Sequence, residues 1–166
     1  MTEEELNATA AENMGRYMNC AQASFHTLHE SLRLKCDATC MLRGLAPFPG
    51  VGLTFKTCGA VSGSLLAIGM ALGGSDQPDP ERAAICYQLG HRFSSTVREE
   101  LGSTRCGDIM ERQFGRRFDL TDPAQMQQFA EAGAAQKCTE VVQAAVRIAQ
   151  RIIETTSSPS ADTDDA

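Results

Sequence analysis

Four cysteines dispersed along the chain, Cys20, Cys58, Cys106 and Cys138, are the residues best suited to chemistry. A thiolate can ligate iron or zinc, and it can also attack a disulfide. Apolar spacing places three of them, Cys58, Cys106 and Cys138, near the starts of predicted helices. Open amides and the helix dipole favour a thiolate there. We therefore expect the four sulfurs to approach one another and to form one site that binds a metal or cofactor.

The spacing of the cysteines excludes the common local motifs. None of the seven cysteines forms a Cys-x-x-Cys pair, and the Cys-x-x-Cys-His motif for haem attachment is absent. Any metal site must therefore be assembled by the fold. Cys86 lies on an apolar helix face and is predicted to belong to the core. Cys36 and Cys40 are four residues apart, and the sequence leaves open whether they add a ligand, form a redox pair or are plain exposed thiols.

Composition narrows the class of protein. The 166-residue chain has a net charge of −6 and no basic stripe, which argues against a nucleic-acid partner. It has no apolar run of about 18 residues, so we expect no membrane-spanning helix. The acidic N-terminus lacks the features of a signal peptide, and we expect a cytoplasmic protein. The sequence leaves open whether the protein forms a homo-oligomer.

Structural disulfides are a poor explanation for the seven cysteines. Thiols in the cytosol are kept reduced, and an odd number of cysteines cannot all be paired within one chain.

The apolar pattern predicts an all-α, single-domain bundle of about five to seven helices, because apolar residues alternate at spacings of four and three. The main predicted helices span about 3–35, 57–73, 80–101, 106–114, 123–132 and 134–154. Within the second of these, Gly59, Gly63 and Ala67 form a ridge of small residues, which predicts that another helix approaches closely. We expect residues 1–154 to form the helical redox domain and residues 155–166 to be a disordered acidic tail.

The segment at Cys58 also resembles a known family. Its string Cys-Gly-Ala-Val-Ser-Gly is similar to the signature of the C_GCAxxG_C_C family of redox-active proteins. The segments around Cys20, Cys106 and Cys138 resemble the family's other cysteine blocks, so the likeness runs from about residue 13 to residue 154. The resemblance implies a helical redox protein. It also extends to the iron–sulfur part of split-Soret cytochromes, but no haem is expected without Cys-x-x-Cys-His.

Three functions stay open at this point. The first is electron transfer through an iron–sulfur cluster held by Cys20, Cys58, Cys106 and Cys138. The second is thiol–disulfide exchange that cycles two of these cysteines. The third is a non-redox helical module with a structural zinc site. The sequence does not identify a redox partner protein.

Overall fold

The structure, a computed structural model, describes residues 1–74 and 77–157. Within these residues, the β pairing consists of an isolated antiparallel bridge between Thr57 and Arg105, and the rest of the regular structure is helical. The elements are α1 (Glu3–Tyr17), α2 (Cys20–Leu32), α3 (Ala38–Leu45), α4 (Gly50–Leu53), α5 (Gly59–Leu72), α6 (Pro80–Leu101), α7 (Cys106–Phe114), α8 (Pro123–Glu131) and α9 (Ala134–Ser157). The predicted all-α, single-domain fold is confirmed. The described residues contain eight helices besides the four-residue α4, slightly more than predicted.

The first predicted helix is in fact two helices, because the chain turns sharply at Met18. Met18 has a left-handed conformation (φ 51°) and ends α1. The Asn19 side chain then accepts hydrogen bonds from the N–H groups of Ala21 and Gln22, at 3.0 and 3.1 Å. Such a cap accepts hydrogen bonds from first-turn amides that have no partner within the helix. It therefore stabilises the start of a second helix at this point. As a result, Cys20 is the first residue of α2.

Helices α2 and α5 form the tightest contact of the core. A Cβ atom added at Gly63 would lie 2.1 Å from the carbonyl oxygen of Ala21, so the two backbones nearly touch there. This confirms that the ridge of small residues lets another helix approach closely, and it identifies that helix as α2. Large side chains such as Phe25, Val61 and Ile68 are fully buried beside this contact.

Helices α2, α5 and α9 run in the same direction. Residues from their C-terminal ends, including Leu32, Met70 and Ile153, line one groove of about 380 Å³. Their N-terminal ends, which carry Cys20, Cys58 and Cys138, lie at the other end of the bundle. Parallel helices bring the positive ends of their dipoles together, so this end of the molecule favours a negative charge.

Helix α6 departs from the prediction. Its buried residues are Phe93 and Val97, both in the second half, whereas Tyr87 is exposed and Cys86 is partly exposed. The prediction of Cys86 as a core residue is therefore wrong, because the first half of α6 lies at the surface. Cys86 lies close to Gly73, at the opposite end of α5 from Cys58.

The last helix continues to Ser157, three residues beyond its predicted end. The remainder of the predicted disordered tail, residues 158–166, lies outside the described residues. Among the residues that are described, no helix is both long and apolar enough to cross a membrane.

Candidate thiol site

A pair of backbone hydrogen bonds holds the N-terminal ends of α5 and α7 side by side. The Cys58 N–H donates to the carbonyl oxygen of Thr104 at 2.9 Å, and the Cys106 N–H donates to that of Lys56 at 2.7 Å. These bonds flank the bridge between Thr57 and Arg105. The two cysteines therefore begin neighbouring helices although 48 residues separate them in the sequence.

Cys20 is held against the same place. A Cβ atom added at Gly59 would lie 2.4 Å from the Cys20 sulfur and 2.9 Å from the Ala21 nitrogen. Glycine at position 59 therefore lets the sulfur of Cys20 lie directly against the first turn of α5. The side chain of Cys58, the N-cap residue of α5, makes no capping hydrogen bond. The Gly59 and Ala60 amides interact instead with the Cys20 sulfur, which receives charge stabilisation from them.

These contacts lower the pKa of Cys20. The largest cause is the Cys58 thiol, which acts as a hydrogen-bond donor to the Cys20 sulfur. Burial opposes this effect, but hydrogen bonding from the amides of Ala60, Cys20 and Gly59 adds to it, and the net shift of the pKa is downward. A thiolate that accepts several hydrogen bonds is favoured over the neutral thiol. Of the four thiols of this region, Cys20 is therefore the one whose thiolate form is favoured by its surroundings.

The other three thiols are held protonated. The pKa of Cys58 is raised well above its usual value, first by the same hydrogen bond to Cys20 and then by burial. Burial and the charge of Cys20 raise the pKa of Cys106 to about 11. Burial, with the charges of Cys20 and Cys106, raises that of Cys138 to about 12. The four sulfurs thus share one electrostatic environment, called the thiol site below, which favours a single negative charge.

The segment that approaches Cys106 has a strained backbone. Five residues, Gly50, Val51, Gly52, Leu53 and Phe55, have positive φ angles between 52° and 68°. This conformation is unfavourable for side chains and especially for the branched Val51. A Cβ atom added at Gly50 would lie 3.6 Å from the Cys106 sulfur, so the strained turn packs directly on the site. Strain of this kind is commonly retained beside functional groups.

A comparison with protein families agrees with this geometry. The model of the family described as "Putative redox-active protein (C_GCAxxG_C_C)" matches residues 18–152. The chain belongs to this family. The C_GCAxxG_C_C match includes all four cysteines of the thiol site, and the description of the family supports a redox role. Searches of curated proteins and of solved structures found no match.

As they stand, the four thiols are not arranged as metal ligands. Among the described residues, no group of three or more His, Cys, Asp or Glu side chains is placed to hold a metal ion. A cluster or zinc ion on the predicted ligands Cys20, Cys58, Cys106 and Cys138 would require their side chains to reorient. The arrangement as described does contain a contacting pair of thiols, Cys20 and Cys58.

Alkylation should distinguish the four thiols of the C_GCAxxG_C_C site. We expect iodoacetamide to react first at Cys20, because only a thiolate is nucleophilic. As the pH rises, the rate of alkylation at Cys20 should stop increasing below pH 9.0, which is the ordinary pKa of a cysteine thiol. The rate at Cys106, whose pKa is about 11, should still be increasing at that pH. Tryptic peptides 17–33 and 106–112 separate the two cysteines for mass spectrometry. Identical pH profiles at both thiols would contradict the assignment.

Proposed function

We propose that the protein carries out thiol–disulfide exchange, with Cys20 as the attacking thiolate and Cys58 as its partner. The observation that supports this is the contact in which the Cys58 thiol and the open end of α5 stabilise the Cys20 thiolate. Cys20 is partly exposed as a residue, with its sulfur recessed against the first turn of α5, whereas Cys58 is buried with 6% of its surface exposed. A stabilised thiolate with a buried second thiol beside it is the arrangement that an exchange cycle needs.

The chemistry balances as a two-electron step. The Cys20 thiolate attacks one sulfur of a substrate disulfide, so that a mixed disulfide forms and the first substrate thiolate leaves. The Cys58 thiol then gives up its proton to that thiolate and attacks the Cys20 sulfur. The second substrate thiolate leaves as the Cys20–Cys58 disulfide forms. The substrate disulfide is reduced to one thiol and one thiolate, and the cysteine pair is oxidised.

The order of the two attacks follows from the pKa shifts. Before the reaction, Cys58 stays protonated because it donates to the Cys20 thiolate and feels its negative charge. Formation of the mixed disulfide removes that charge from Cys20. The largest cause of the raised Cys58 pKa then disappears, and the second thiol becomes easier to deprotonate at the moment when it must attack. The pair therefore exposes one reactive thiolate at a time.

A redox titration tests this function. Reduced protein, purified without oxygen, is equilibrated with glutathione buffers of increasing oxidation, and its free thiols are then counted. We expect two of the seven thiols to disappear together at one midpoint. Cys58→Ser should abolish the paired loss, and Cys86→Ser should leave it unchanged. Loss of no thiols over the whole range would contradict the proposal.

The iron–sulfur cluster predicted from the sequence is the second candidate function. It is supported by the shared environment of all four thiols, since exchange uses two and leaves Cys106 and Cys138 without a role. In this case protein purified without oxygen would contain iron and absorb visible light, and Cys58→Ser would bleach it while leaving it helical. Stoichiometric zinc without visible absorbance would instead indicate the structural metal site. Either metal would count against the exchange proposal.

A further inference from the structure

Three exposed apolar side chains lie on the segments that hold the thiols. Met18 is 87% exposed, and it stands two residues before Cys20. Phe48 and Val51 are 40% and 46% exposed. They belong to the loop that the Asn19 side chain contacts through the carbonyl oxygen of Ala46, at 3.0 Å. Large exposed apolar side chains on adjoining segments are typical of an interaction site.

Two cations accompany them. Arg43 is in the last turn of α3, which is tied to the start of α2 by a 2.8 Å hydrogen bond from the Gln22 side chain to the carbonyl oxygen of Leu42. Lys56 accepts the backbone hydrogen bond from Cys106. Both side chains are exposed, and neither has an ion-pair partner among the residues that the structure describes. We call Met18, Phe48, Val51, Arg43 and Lys56 the thiol face.

The positive charge of Arg43 and Lys56 on the thiol face is opposite in sign to the net charge of the whole chain. The protein carries a net charge of −6, yet the carboxylate beside Cys106, Asp108, is engaged by Arg105 and Arg117. Glu140, two residues after Cys138, hydrogen-bonds to Gln136, which is neutral and leaves its negative charge in place. The thiol face itself carries the two unpaired positive charges of Arg43 and Lys56, which would attract an acidic segment.

We infer that the thiol face docks a partner protein whose reactive disulfide lies in an acidic and apolar segment. This inference rests on the proposed exchange function and adds the class of its substrate. A small disulfide would reach Cys20 without covering Met18, Phe48 and Val51, whereas a protein segment would remove all three from water. Charge complementarity to Arg43 and Lys56 would orient that segment over the recessed sulfur.

Model peptide disulfides test the inference on the full, reduced protein. Three symmetric disulfides are compared, built from the blocked peptides Asp-Leu-Cys-Phe-Asp, Lys-Leu-Cys-Phe-Lys and Asp-Ser-Cys-Ser-Asp. We expect the acidic apolar peptide to oxidise the Cys20–Cys58 pair fastest, about tenfold faster than the basic one at low salt. This advantage should shrink as ionic strength rises, because salt screens exposed charges.

Variants of the thiol face test whether its residues cause the preference for the acidic apolar peptide. Arg43→Glu combined with Lys56→Glu should reverse the order of the acidic and basic peptides, whereas Arg151→Glu, an exposed position near the other end of α9, should not change it. Phe48→Ser, or Val51→Ser as a second variant, should remove the advantage of the apolar over the polar acidic peptide. Equal rates with all three peptides, or a preference that the double variant leaves intact, would overturn the inference.

A small neutral disulfide distinguishes failure of the docking inference from failure of the proposed exchange function. With bis(2-hydroxyethyl) disulfide, the wild-type protein should be oxidised at the Cys20–Cys58 pair, because this probe carries no charge and does not need the thiol face. If it oxidises Cys20 while the peptides show no preference, the docking inference is wrong and exchange stands. If neither it nor any peptide oxidises the pair, the exchange function itself is wrong, and the docking inference is overturned with it.

Discussion

Gly63→Ala is expected to lower the free energy of unfolding by about 3 kcal/mol or more, which is at the upper end for overpacking. The added methyl group would lie 2.1 Å from the carbonyl oxygen of Ala21 and 2.9 Å from its carbonyl carbon. These are backbone atoms of a helix, so no side-chain rotation can relieve the overlap. Helices α2 and α5 would have to separate at the core and carry Cys20 away from the first turn of α5. Urea denaturation of the reduced protein, followed by circular dichroism, measures the change.

Gly69→Ala is the matched control for this prediction. Gly69 is in the same helix, and a Cβ atom at this position would meet no atom within 4 Å. Alanine is the better helix former by about 0.5–1 kcal/mol, so this variant should be more stable than the wild type. The same Gly→Ala change should therefore lower the free energy of unfolding at position 63 and raise it at position 69. A stabilising Gly63→Ala would show that α2 and α5 are not in near contact.

Cys20→Ser is expected to lower the rate of reaction with bis(2-hydroxyethyl) disulfide by about a hundredfold or more. A serine hydroxyl is not ionised at neutral pH and cannot replace the thiolate as a nucleophile. The remaining thiols of the site would not compensate, because burial and hydrogen bonding hold Cys58, Cys106 and Cys138 protonated. The rate is followed by the release of 2-mercaptoethanol.

Two further variants distinguish the nucleophile from its partner. Cys58→Ser should retain the first attack and accumulate a mixed disulfide on Cys20, visible as a mass increase of one substrate thiol per chain. Cys86→Ser should react like the wild type, since this thiol lies near Gly73 at the other end of α5. If Cys86→Ser slowed the reaction as much as Cys20→Ser, the loss would reflect unfolding and not chemistry.

Sequence patterns predicted most of the helices because their signals are local. The ends of α6 follow from Asp79 and Pro80 at its start and Gly102 after its last residue. The break between α1 and α2 was missed, since Met18 is not a residue that normally adopts a left-handed conformation. For the same reason, the positive φ angles of Val51, Leu53 and Phe55 could not be predicted from residue type.

The thiol site was predictable in its members but not in its internal roles. Helical spacing and the family resemblance singled out the four cysteines. The position at helix starts favoured thiolates at Cys58, Cys106 and Cys138. This expectation is wrong, because a hydrogen bond to Cys20 and burial raise the pKa of Cys58, and burial raises the pKa of the other two. The lowered pKa of Cys20 depends on its contact with α5, which starts 39 residues later in the sequence. Gly59 permits this contact, and the sequence showed only that Gly59 is part of a ridge of small residues. Contacts between distant segments depend on how the helices pack, which local periodicity does not specify.

The most direct test of the Cys20–Cys58 assignment is to map the bond that forms when the protein is oxidised. Reduced wild-type protein is oxidised with bis(2-hydroxyethyl) disulfide, blocked with iodoacetamide and digested with trypsin without reduction. Cys20 and Cys58 then lie on peptides 17–33 and 57–82, whereas Cys106 and Cys138 lie on peptides 106–112 and 138–147. We predict one dominant linked species, which joins peptides 17–33 and 57–82. A dominant link from Cys106 to Cys138, or four unlinked peptides from a protein that retains iron, would contradict the assignment.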